Sequence, residues 1–541
     1  MNWHLLSRML GMLALLVGGS MVFSLPWAFP ALGMTPEFEQ SGFYGILGSM
    51  AISLIVGALL WAFGRREKRR TILRKEALAV VGVGWMLAGL LGCLPYLLSG
   101  SERLPGIRMS PADCLFESLS GFTTTGASVI GELEDPTTLP RSVLFWRCFT
   151  HWLGGLGIVV LFVAILGQLG AGGKALMRNE VPGPTSETVR PRVRDTAMSL
   201  WAIYATLSVI LCVLLWLEGL TLYDALCHTF ATMATGGFST FNDSVAHFSS
   251  DAFEGPMVPT WLAGGESYSL VEFTLACFMF MAGVNFTLYY FVVRRARDLP
   301  KRPLGWVRPL AKDAEFRAYV LILIVAALLL AVSLWRNEVY GPLEALRHSM
   351  FTSLTIVTTT GFGTEDFVQW PQFCKGLILA MMFIGGCAGS TGGGVKIVRV
   401  MLFAKAMWMQ LEKSFRPNLV RPLRFGRQPV DEEVRGDVIV YVATIVTLCL
   451  LGWLTMITIQ SNDPWSVGDR DATAEKLLDS ASAVVSSLNN VGPGLGIFGP
   501  KSNYAGLTDT SKFVLTLLML LGRLEVYAVL VLLFPSFWRR G

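Results

Sequence analysis

The sequence predicts an all-α polytopic membrane protein with ten spanning helices and four short re-entrant half-helices. Three observations lead to this fold class. Of the 541 residues, 53% are hydrophobic and only 15% are charged, whereas a soluble protein carries about 25% charged residues. Long apolar runs recur along the whole chain, and the mean hydropathy is +0.53. Between them, four shorter segments each end in a glycine-containing stretch.

Ten apolar runs are long enough to cross a bilayer. They lie near 5–31, 42–64, 76–99, 142–169, 193–217, 268–293, 316–336, 374–407, 436–460 and 511–537. The first run, from Leu5 to Trp27, is too long for the apolar core of a signal peptide, so we expect it to be a retained helix. An even number of spans returns both termini to the same side of the membrane.

The charge of the loops predicts the orientation. The stretches 64–75, 294–308 and 413–435 are rich in Lys and Arg, whereas 34–40 has acids and neither Lys nor Arg. Basic loops face the cytoplasm, so both termini are predicted to be cytoplasmic. This asymmetry explains the net charge of +5 without a nucleic-acid partner. The nine cysteines show no metal-ligand spacing and are interpreted as small apolar residues.

Four outer connections share one pattern. After the helices that end near 99, 217, 336 and 460, a short helix of about 10–15 residues, too short to span, leads into a glycine stretch. These stretches read "FTTTGAS" (122–128), "MATGGFS" (233–239), "VTTTGFG" (357–363) and "NNVGPGLG" (489–496). The predicted anchor glycines are Gly126, Gly236, Gly361 and Gly492. Each short helix has an acidic residue near its start, and we predict that this residue caps the helix. In chain order these residues are Asp113, Asp224, Glu344 and Asp479.

The glycine stretches have the chemistry of a cation site. Irregular backbone at membrane depth is tolerated where it lines water or a ligand, and rings of carbonyl oxygens can replace the hydration shell of potassium. Glycine reaches positive φ without strain, and threonine adds a hydroxyl oxygen. Any one stretch could be an ordinary turn, but four with the same preceding helix favour one pore. The predicted site residues are Thr124, Thr125, Gly126, Thr235, Gly236, Thr359, Thr360, Gly361, Asn490, Val491 and Gly492.

The predicted span 374–407 contains a second glycine-rich segment, "GGCAGSTGGGVKIVR" (385–399). Six glycines within 385–394 disfavour a continuous helix, at about 1 kcal/mol each relative to alanine. A phosphate-binding loop is excluded because Lys396 is followed by Ile397 and no strand precedes it. A plain kink and a serine-protease pair of Ser390 with His151 are alternatives. The preferred hypothesis is a flexible gate beneath the ion site, formed by Gly389, Ser390, Thr391, Gly392, Gly393 and Gly394.

Arg523 lies well inside the last predicted span, where a charge is expensive and faces a cavity or a partner. Glu525 is two positions away and lies on a different helix face. The alternatives are an arginine facing the pore, as part of the gate, and an arginine buried against a carboxylate of another helix. Arg147 and His151 lie one turn apart and are interpreted as packing or mouth residues.

Several motifs together resemble one family. "TTTGAS", "TTTGFGTED", "NNVGPGLG" and "FWRCFTHWLGGLGIVV" (145–160) are similar to the TrkH-type membrane subunits of the Trk/Ktr/HKT potassium transporters. The resemblance implies two extra N-terminal helices (1–70) and four imperfect helix–pore loop–helix repeats around one pore. The four repeats are residues 71–180, 181–310, 311–430 and 431–541. The third repeat contains the intramembrane gating loop. The resemblance also implies that Arg523 faces the pore.

The resemblance further implies a homodimer in a bacterial inner membrane, regulated by a cytosolic nucleotide-binding subunit of the RCK type. Glycine at all four anchors implies potassium rather than sodium. The predicted function is therefore channel-like potassium uptake driven by the membrane potential, without an organic cofactor in this chain. The alternative is a proton- or sodium-coupled secondary cation transporter, which would place paired acids at the midplane. An enzyme is disfavoured because catalytic residues do not cluster within the spans.

Overall fold

The computed structural model describes residues 1–65, 73–155, 157, 193–249, 255, 257–258, 268–298, 308–418, 423–425, 428–465, 472–524 and 526–539. Within these residues the chain is mainly helical. In chain order the helices are α1 Trp3–Ser20, α2 Pro30–Gly33, α3 Gln40–Gly64, α4 Arg74–Gly92, α5 Leu94–Ser99, α6 Pro111–Phe122, α7 Arg141–Gly155, α8 Val193–Leu217, α9 Leu222–Met233, α10 Leu270–Ala282, α11 Phe286–Asp298, α12 Arg308–Lys312, α13 Ala314–Arg336, α14 Pro342–Val357, α15 Gln372–Met381, α16 Ile397–Phe415, α17 Glu432–Ile459, α18 Ala472–Asn489, α19 Asp509–Arg523, α20 Val526–Leu530 and α21 Pro535–Trp538.

The strands in the described part of the chain form three small antiparallel ribbons. They pair β1 Glu102–Leu104 with β2 Ile107–Arg108, β3 Met257–Val258 with β4 Tyr268–Ser269, and β5 Arg424–Phe425 with β6 Gln428–Pro429.

Six helical segments of the described chain are long and apolar enough to cross a membrane. They are Trp3–Ala28, Gln40–Gly64, Lys75–Ser99, Ala197–Leu217, Ala314–Arg336 and Glu432–Ile459. Large apolar side chains are exposed along them, for example Leu59, Val209, Leu321 and Leu451. Outward-facing apolar surface on long helices is the pattern of a lipid-exposed protein, so the prediction of a helical membrane protein is confirmed at this level.

Three predicted spans are not continuous helices. The span 268–293 bends by 94° between α10 and α11. The span 374–407 is split into α15 and α16 by an irregular segment, and 511–537 ends as a helix at Arg523. The break in 374–407 was expected from its six glycines within 385–394, whereas the bend in 268–293 and the helix end at Arg523 were not predicted. The span 142–169 begins as α7, and most of it beyond Gly155 lies outside the described residues.

The four short helices are α6, α9, α14 and α18. Asp113 forms a capping box with Ser110, the Thr221 hydroxyl accepts from the Asp224 N–H, and Glu344 lies in the first turn of α14. The prediction of an acid near each start was wrong for Asp479. Because α18 begins earlier, at Ala472, Asp479 lies in its interior.

The buried Asp479 carboxylate serves a different purpose from a helix cap. It accepts hydrogen bonds from Trp465 Nε1 at 2.9 Å and from the Ile497 N–H at 3.2 Å. It therefore ties α18 to the segments on either side of it, which a helix-start interpretation did not foresee.

The short helices pack on the longer ones in a closed arrangement. Helix α9 packs on α7, α14 on α10, and α6 on both α7 and α19. The contact between α6 and α19 joins the beginning of the arrangement to its end. A buried ion pair strengthens it, with Lys512 Nζ 2.5 Å from Asp113 Oδ1. The ends of all four short helices are thereby brought near a common centre.

Candidate ion-binding site

Each short helix ends in the same backbone motif and continues into a five-residue loop. We name the loops L1 (Thr124–Ser128), L2 (Thr235–Ser239), L3 (Thr359–Gly363) and L4 (Asn490–Gly494). The first N–H of each loop donates three residues back, to Gly121, Thr232, Ile356 and Ser487, at 3.1, 3.0, 3.0 and 3.3 Å. The second donates five residues back, to Ser120, Ala231, Thr355 and Ser486, at 2.9, 2.7, 2.8 and 2.9 Å. This is the Schellman pattern of helix termination.

The first residue of each loop has a left-handed backbone. The φ angles are 52° at Thr124, 53° at Thr235, 58° at Thr359 and 55° at Asn490. For a β-branched residue such as threonine this conformation is a genuine outlier, and strain of this kind concentrates at functional sites. Its repetition at four equivalent positions marks the loops as the candidate site.

A glycine with positive φ follows two residues later in every loop. The angles are 81° at Gly126, 81° at Gly237, 84° at Gly361 and 102° at Gly492. The prediction of Gly236 as the second anchor was therefore one residue early. Two adjacent glycines carry the same sequence signal, and only the backbone geometry distinguishes them. Gly236 instead occupies the position of Thr125, Thr360 and Val491.

The four loops touch in a closed cycle. A Cβ added to Gly126 would lie within 3.0 Å of the Gly236 oxygen, and one added to Gly237 would meet the Thr360 oxygen in the same way. The cycle continues from Gly361 to the Val491 oxygen and returns from Gly492 to the Thr125 oxygen. Each loop therefore packs its glycine against a carbonyl of the next loop, where a side chain has no space.

Hydroxyl and amide groups of the predicted site residues lie beside this cycle. Thr125 Oγ1 is 2.8 Å from Thr123 Oγ1, and Thr360 Oγ1 is 2.8 Å from Thr358 Oγ1. Asn490 Nδ2 donates to Thr125 Oγ1 at 2.9 Å, which joins L4 to L1. Polar groups of L1, L3 and L4 and of the residues before them are therefore buried beside the cycle of loops.

A cavity opens on one face of the loops, and all four positive-φ glycines line it. Other residues at its wall include Ser128, Arg147, Asn242 and Tyr504. The Tyr504 hydroxyl donates to the Gly492 oxygen at 2.9 Å, and its N–H donates to the Ser128 oxygen at 2.8 Å. The loops therefore form the floor of an open vestibule.

The glycine-rich segment 385–396 lies against the opposite face of the loops. The Gly393 N–H donates to Thr359 Oγ1 at 2.7 Å, and a Cβ added to Gly393 would lie 2.8 Å from the Asn489 oxygen and from the Asn490 Cβ. The Cys387 N–H donates to the Gly283 oxygen at 2.9 Å, at the bend between α10 and α11. The segment thus connects L3, L4 and a helix break below the loops.

Arg523 holds this segment from the other side. Its Nη1 donates to the Thr391 oxygen at 2.7 Å, and its Nη2 donates to the oxygens of Gly154 and Gly155 at 2.7 and 2.8 Å. The predicted gate residues Thr391 and Arg523 are therefore in direct contact. Glu525 lies outside the described residues.

Two further charged residues hold the glycine-rich segment, and sequence reasoning did not assign them. Glu315 Oε1 accepts from the Ala388 N–H within the segment at 2.7 Å and from the Val398 N–H in the first turn of α16 at 3.2 Å. The buried Lys396 ammonium donates to the Gly392 oxygen. A charged residue in the first turn of an apolar helix was the only available signal for Glu315, and helix capping explained it equally well.

Ser390 and His151 do not form a nucleophile–base pair. Ser390 Oγ donates to the Cys387 oxygen at 2.7 Å. His151 Nδ1 lies 2.7 Å from the Gly121 oxygen, and its Nε2 accepts from the Phe238 N–H at 3.3 Å. The histidine packs behind L1 and L2 and supports them, as the interpretation of a packing residue expected.

Comparisons with known proteins point to one family. The family model TrkH, described as "Cation transport protein", matches residues 45–539. The chain is 34% identical over 544 residues to the Trk system potassium uptake protein TrkH of Salmonella typhimurium, with 100% of each chain covered. It is 28% identical to the Trk system potassium uptake protein TrkG of Escherichia coli, covering 95% of this chain and 97% of the relative. The crystal structure of the potassium transporter TrkH from Vibrio parahaemolyticus matches with a TM-score of 0.78 and 33% identity, covering 100% of both chains.

Proposed function

Because the chain belongs to the TrkH family of cation transport proteins, we propose that it transports potassium ions across a membrane. The relatives named above as potassium uptake proteins match this chain along nearly its whole length. The observation that carries the proposal within the chain is the cycle of four glycine–carbonyl contacts that closes from L4 back to L1.

The loops L1–L4 form the selectivity filter in this proposal. Carbonyl oxygens of Thr125, Gly236, Thr360 and Val491 are held at equivalent positions by the same pair of backbone hydrogen bonds. Oxygen rings of this kind can replace the water around a potassium ion. The Schellman ends of the short helices add the negative end of the helix dipole, which favours a cation. Potassium is the transported substrate.

The segment Gly389–Gly394 and Arg523 form the gate in this proposal. The Gly393 N–H donates a hydrogen bond to Thr359 Oγ1. When the segment moves away, this oxygen becomes free to contact an ion. Arg523 donates to the Thr391 oxygen and places a positive charge below the filter. Displacing the segment therefore both clears the path and frees filter oxygens.

The finer architecture follows the same proposal. We propose ten membrane crossings, with residues 1–70 outside the pore and four repeats at 71–180, 181–310, 311–430 and 431–541. The cytoplasmic orientation of both termini rests on the basic loops. Location in a bacterial inner membrane, a homodimer and a cytosolic nucleotide-binding regulatory subunit of the RCK type stay predictions from the family resemblance.

Growth of a bacterial host that lacks its own potassium uptake tests the proposed function. With limiting potassium in the medium, the chain should restore growth, and it should not do so when Gly361 is replaced by valine, which fills the glycine–carbonyl contact between L3 and L4. Wild-type protein that is present in the membrane but does not support growth would contradict the proposal.

A further inference from the structure

We propose that Glu117 and Arg147 form a buried clamp that holds the outer ends of L1 and L2 together and thereby contributes to ion preference. The inference rests on the proposed role of these loops as a selectivity filter. The two residues would act as positioning residues, because they contact the loops behind the ion path rather than the ion itself.

Glu117 is fixed to L1 by both carboxylate oxygens. Its Oε1 accepts from Ser128 Oγ at 3.0 Å, and its Oε2 accepts from the Val129 N–H at 2.9 Å. Glu117 is fully buried, with no exposed surface. Since Ser128 is the last residue of L1, any shift of this carboxylate moves the outer end of that loop.

Arg147 carries the contact across to L2. Its Nε donates to Glu117 Oε1 at 2.6 Å, and its Nη1 donates to the Ser239 oxygen at 3.1 Å. The guanidinium also lies over the Phe238 ring, 3.5 Å from the ring centre. A planar group with several fixed donors can make all of these contacts simultaneously, which a lysine ammonium cannot reproduce.

A histidine completes the clamp on the side of L2. His228 and Glu117 occupy equivalent positions, two helical turns before the left-handed residue of their loops. His228 Nε2 lies 3.1 Å from Ser239 Oγ, just as Glu117 contacts Ser128. The equivalent residues before L3 and L4 are Thr352 and Ala483, which are smaller and uncharged. The charged clamp therefore belongs to L1 and L2 and makes the filter asymmetric.

The position of the clamp connects it to ion preference. Residues that orient ligating groups from behind tune a bound ion without touching it. Arg147 also reaches the wall of the vestibule, where Glu117 balances its charge. Loss of the clamp should let the L1 and L2 carbonyls relax, which lowers discrimination between ions of different size while the path stays open.

The experiment measures potassium and sodium influx into liposomes that contain purified full-length protein, at the same imposed voltage. Arg147→Lys keeps the charge but loses the double contact, and Glu117→Gln keeps the size but loses a carboxylate oxygen. We expect the potassium-to-sodium flux ratio to fall roughly three- to tenfold in both, which is at or below the lower limit of the roughly 10- to 100-fold that outer-shell changes cost at metal sites. Ser128→Ala, which keeps all charges, should lower the ratio in the same direction.

Asp113→Asn is the matched control. Asp113 lies one helical turn before Glu117 on α6 and also forms a buried ion pair, with Lys512, but its carboxylate accepts hydrogen bonds from Ser110 and Lys512, which lie outside L1–L4. Its replacement should lower the yield of folded protein and leave the flux ratio at the wild-type value. A purely structural role of the clamp predicts the same behaviour for Glu117→Gln as for this control.

The outcomes separate the clamp from the proposed function. A wild-type protein without preference for potassium would contradict the proposed function itself. A selective wild type with unchanged ratios in Arg147→Lys, Glu117→Gln and Ser128→Ala would overturn the clamp alone. The double variant should lose no more of the ratio than the more affected single variant, because both residues act through one contact.

Discussion

Gly126 shows how the absence of one side chain can decide how closely two loops pack. Its φ of 81° disfavours any other residue, and a Cβ would collide with the Gly236 oxygen of the next loop. The collision would also displace the Gly236 oxygen, which is a proposed ion ligand. Equivalent glycines at 237, 361 and 492 extend the same requirement around the cycle.

We predict that Gly126→Ser lowers the potassium-to-sodium flux ratio by about tenfold, the equivalent of about 1.4 kcal/mol. Gly106→Ser is the control, since Gly106 has a φ of 80° but nothing within 4 Å of an added Cβ. It therefore carries the same backbone strain without a carbonyl collision. A folded Gly126→Ser protein whose flux ratio matches that of Gly106→Ser would remove Gly126 from the filter.

Arg523 combines an electrostatic and a mechanical role that substitution can separate. Hydrogen bonds to a charged donor contribute about 1.5–3 kcal/mol each, and this guanidinium donates to Thr391, Gly154 and Gly155. We predict that Arg523→Ala raises potassium flux in the absence of a regulatory subunit, roughly tenfold, and leaves the ion preference unchanged.

Arg523→Lys distinguishes the two roles. A lysine keeps the positive charge but cannot bridge three carbonyls. Low flux in the lysine variant would show that the positive charge alone closes the path. High flux would show that the hydrogen bonds from Arg523 to the three carbonyls are needed to close it. Well-folded alanine and lysine variants that both keep wild-type flux would contradict the assignment of Arg523 to the gate.

At the scale of residues, the sequence predicts those features that depend only on neighbouring residues in the chain. Threonine followed by glycine indicated the loops, and the loops share one backbone conformation. Sequence reasoning failed for Gly236 and Gly237, because the choice between them depends on the register of the helix end. It also missed the pairing of Glu117 with Arg147, because no local pattern predicts which charges meet across a fold.

The segment 385–396 is the element on which the proposed gate depends. It replaces helix between α15 and α16 and touches L3, L4 and Arg523. Its glycines and the break were predictable from composition. Its anchoring by Glu315 and Lys396 was not, since both contacts depend on tertiary structure.

We predict that deletion of Gly392–Gly394 raises partner-free potassium flux, because it removes the Gly393 contact with Thr359 and shortens the segment below the filter. Gly393→Ala should act in the same direction, since its Cβ would lie 2.8 Å from the Asn489 oxygen. Gly376→Ala is the matched control, because an added Cβ there has nothing within 4 Å. Folded deletion and Gly393→Ala proteins with wild-type flux in liposomes would count against a gate.

The helices illustrate what hydropathy can and cannot resolve. The spans α3, α8, α13 and α17 were predicted within a few residues, because their apolar runs are uninterrupted and end at charged or polar residues. The bend between α10 and α11 and the end of α19 at Arg523 were not predicted. The bend is stabilised by contacts with the glycine-rich segment, whereas α19 ends at a charged residue, Arg523.

At the scale of the whole molecule, closure of the chain on itself brings the four loops L1–L4 together into one site, the proposed pore. Contacts between the first and last units include the Lys512–Asp113 ion pair, the Asn490–Thr125 hydrogen bond and the Tyr504–Ser128 backbone hydrogen bond. A single chain that closes on itself can carry four different filter loops, so its selectivity need not be fourfold symmetric.

The proposed filter and gate imply a mechanism of transport. In the proposed mechanism, the ion passes the oxygens of L1–L4 once the segment 385–396 moves away, and the membrane potential acts directly on it, with about 2.3 kcal/mol per charge for each 100 mV. A coupled secondary transporter would instead need a proton or sodium gradient to move potassium. The two mechanisms therefore differ in whether voltage alone sustains a flux.

Voltage-driven potassium flux tests the central claim most directly. Purified protein is reconstituted into liposomes without a sodium or proton gradient, and an inside-negative voltage is imposed. We predict potassium influx that increases with voltage, exceeds sodium influx at the same voltage, and rises further when Gly392–Gly394 is deleted. Folded protein that moves no potassium under voltage alone, or that moves potassium only when a sodium or proton gradient is added, would contradict the account.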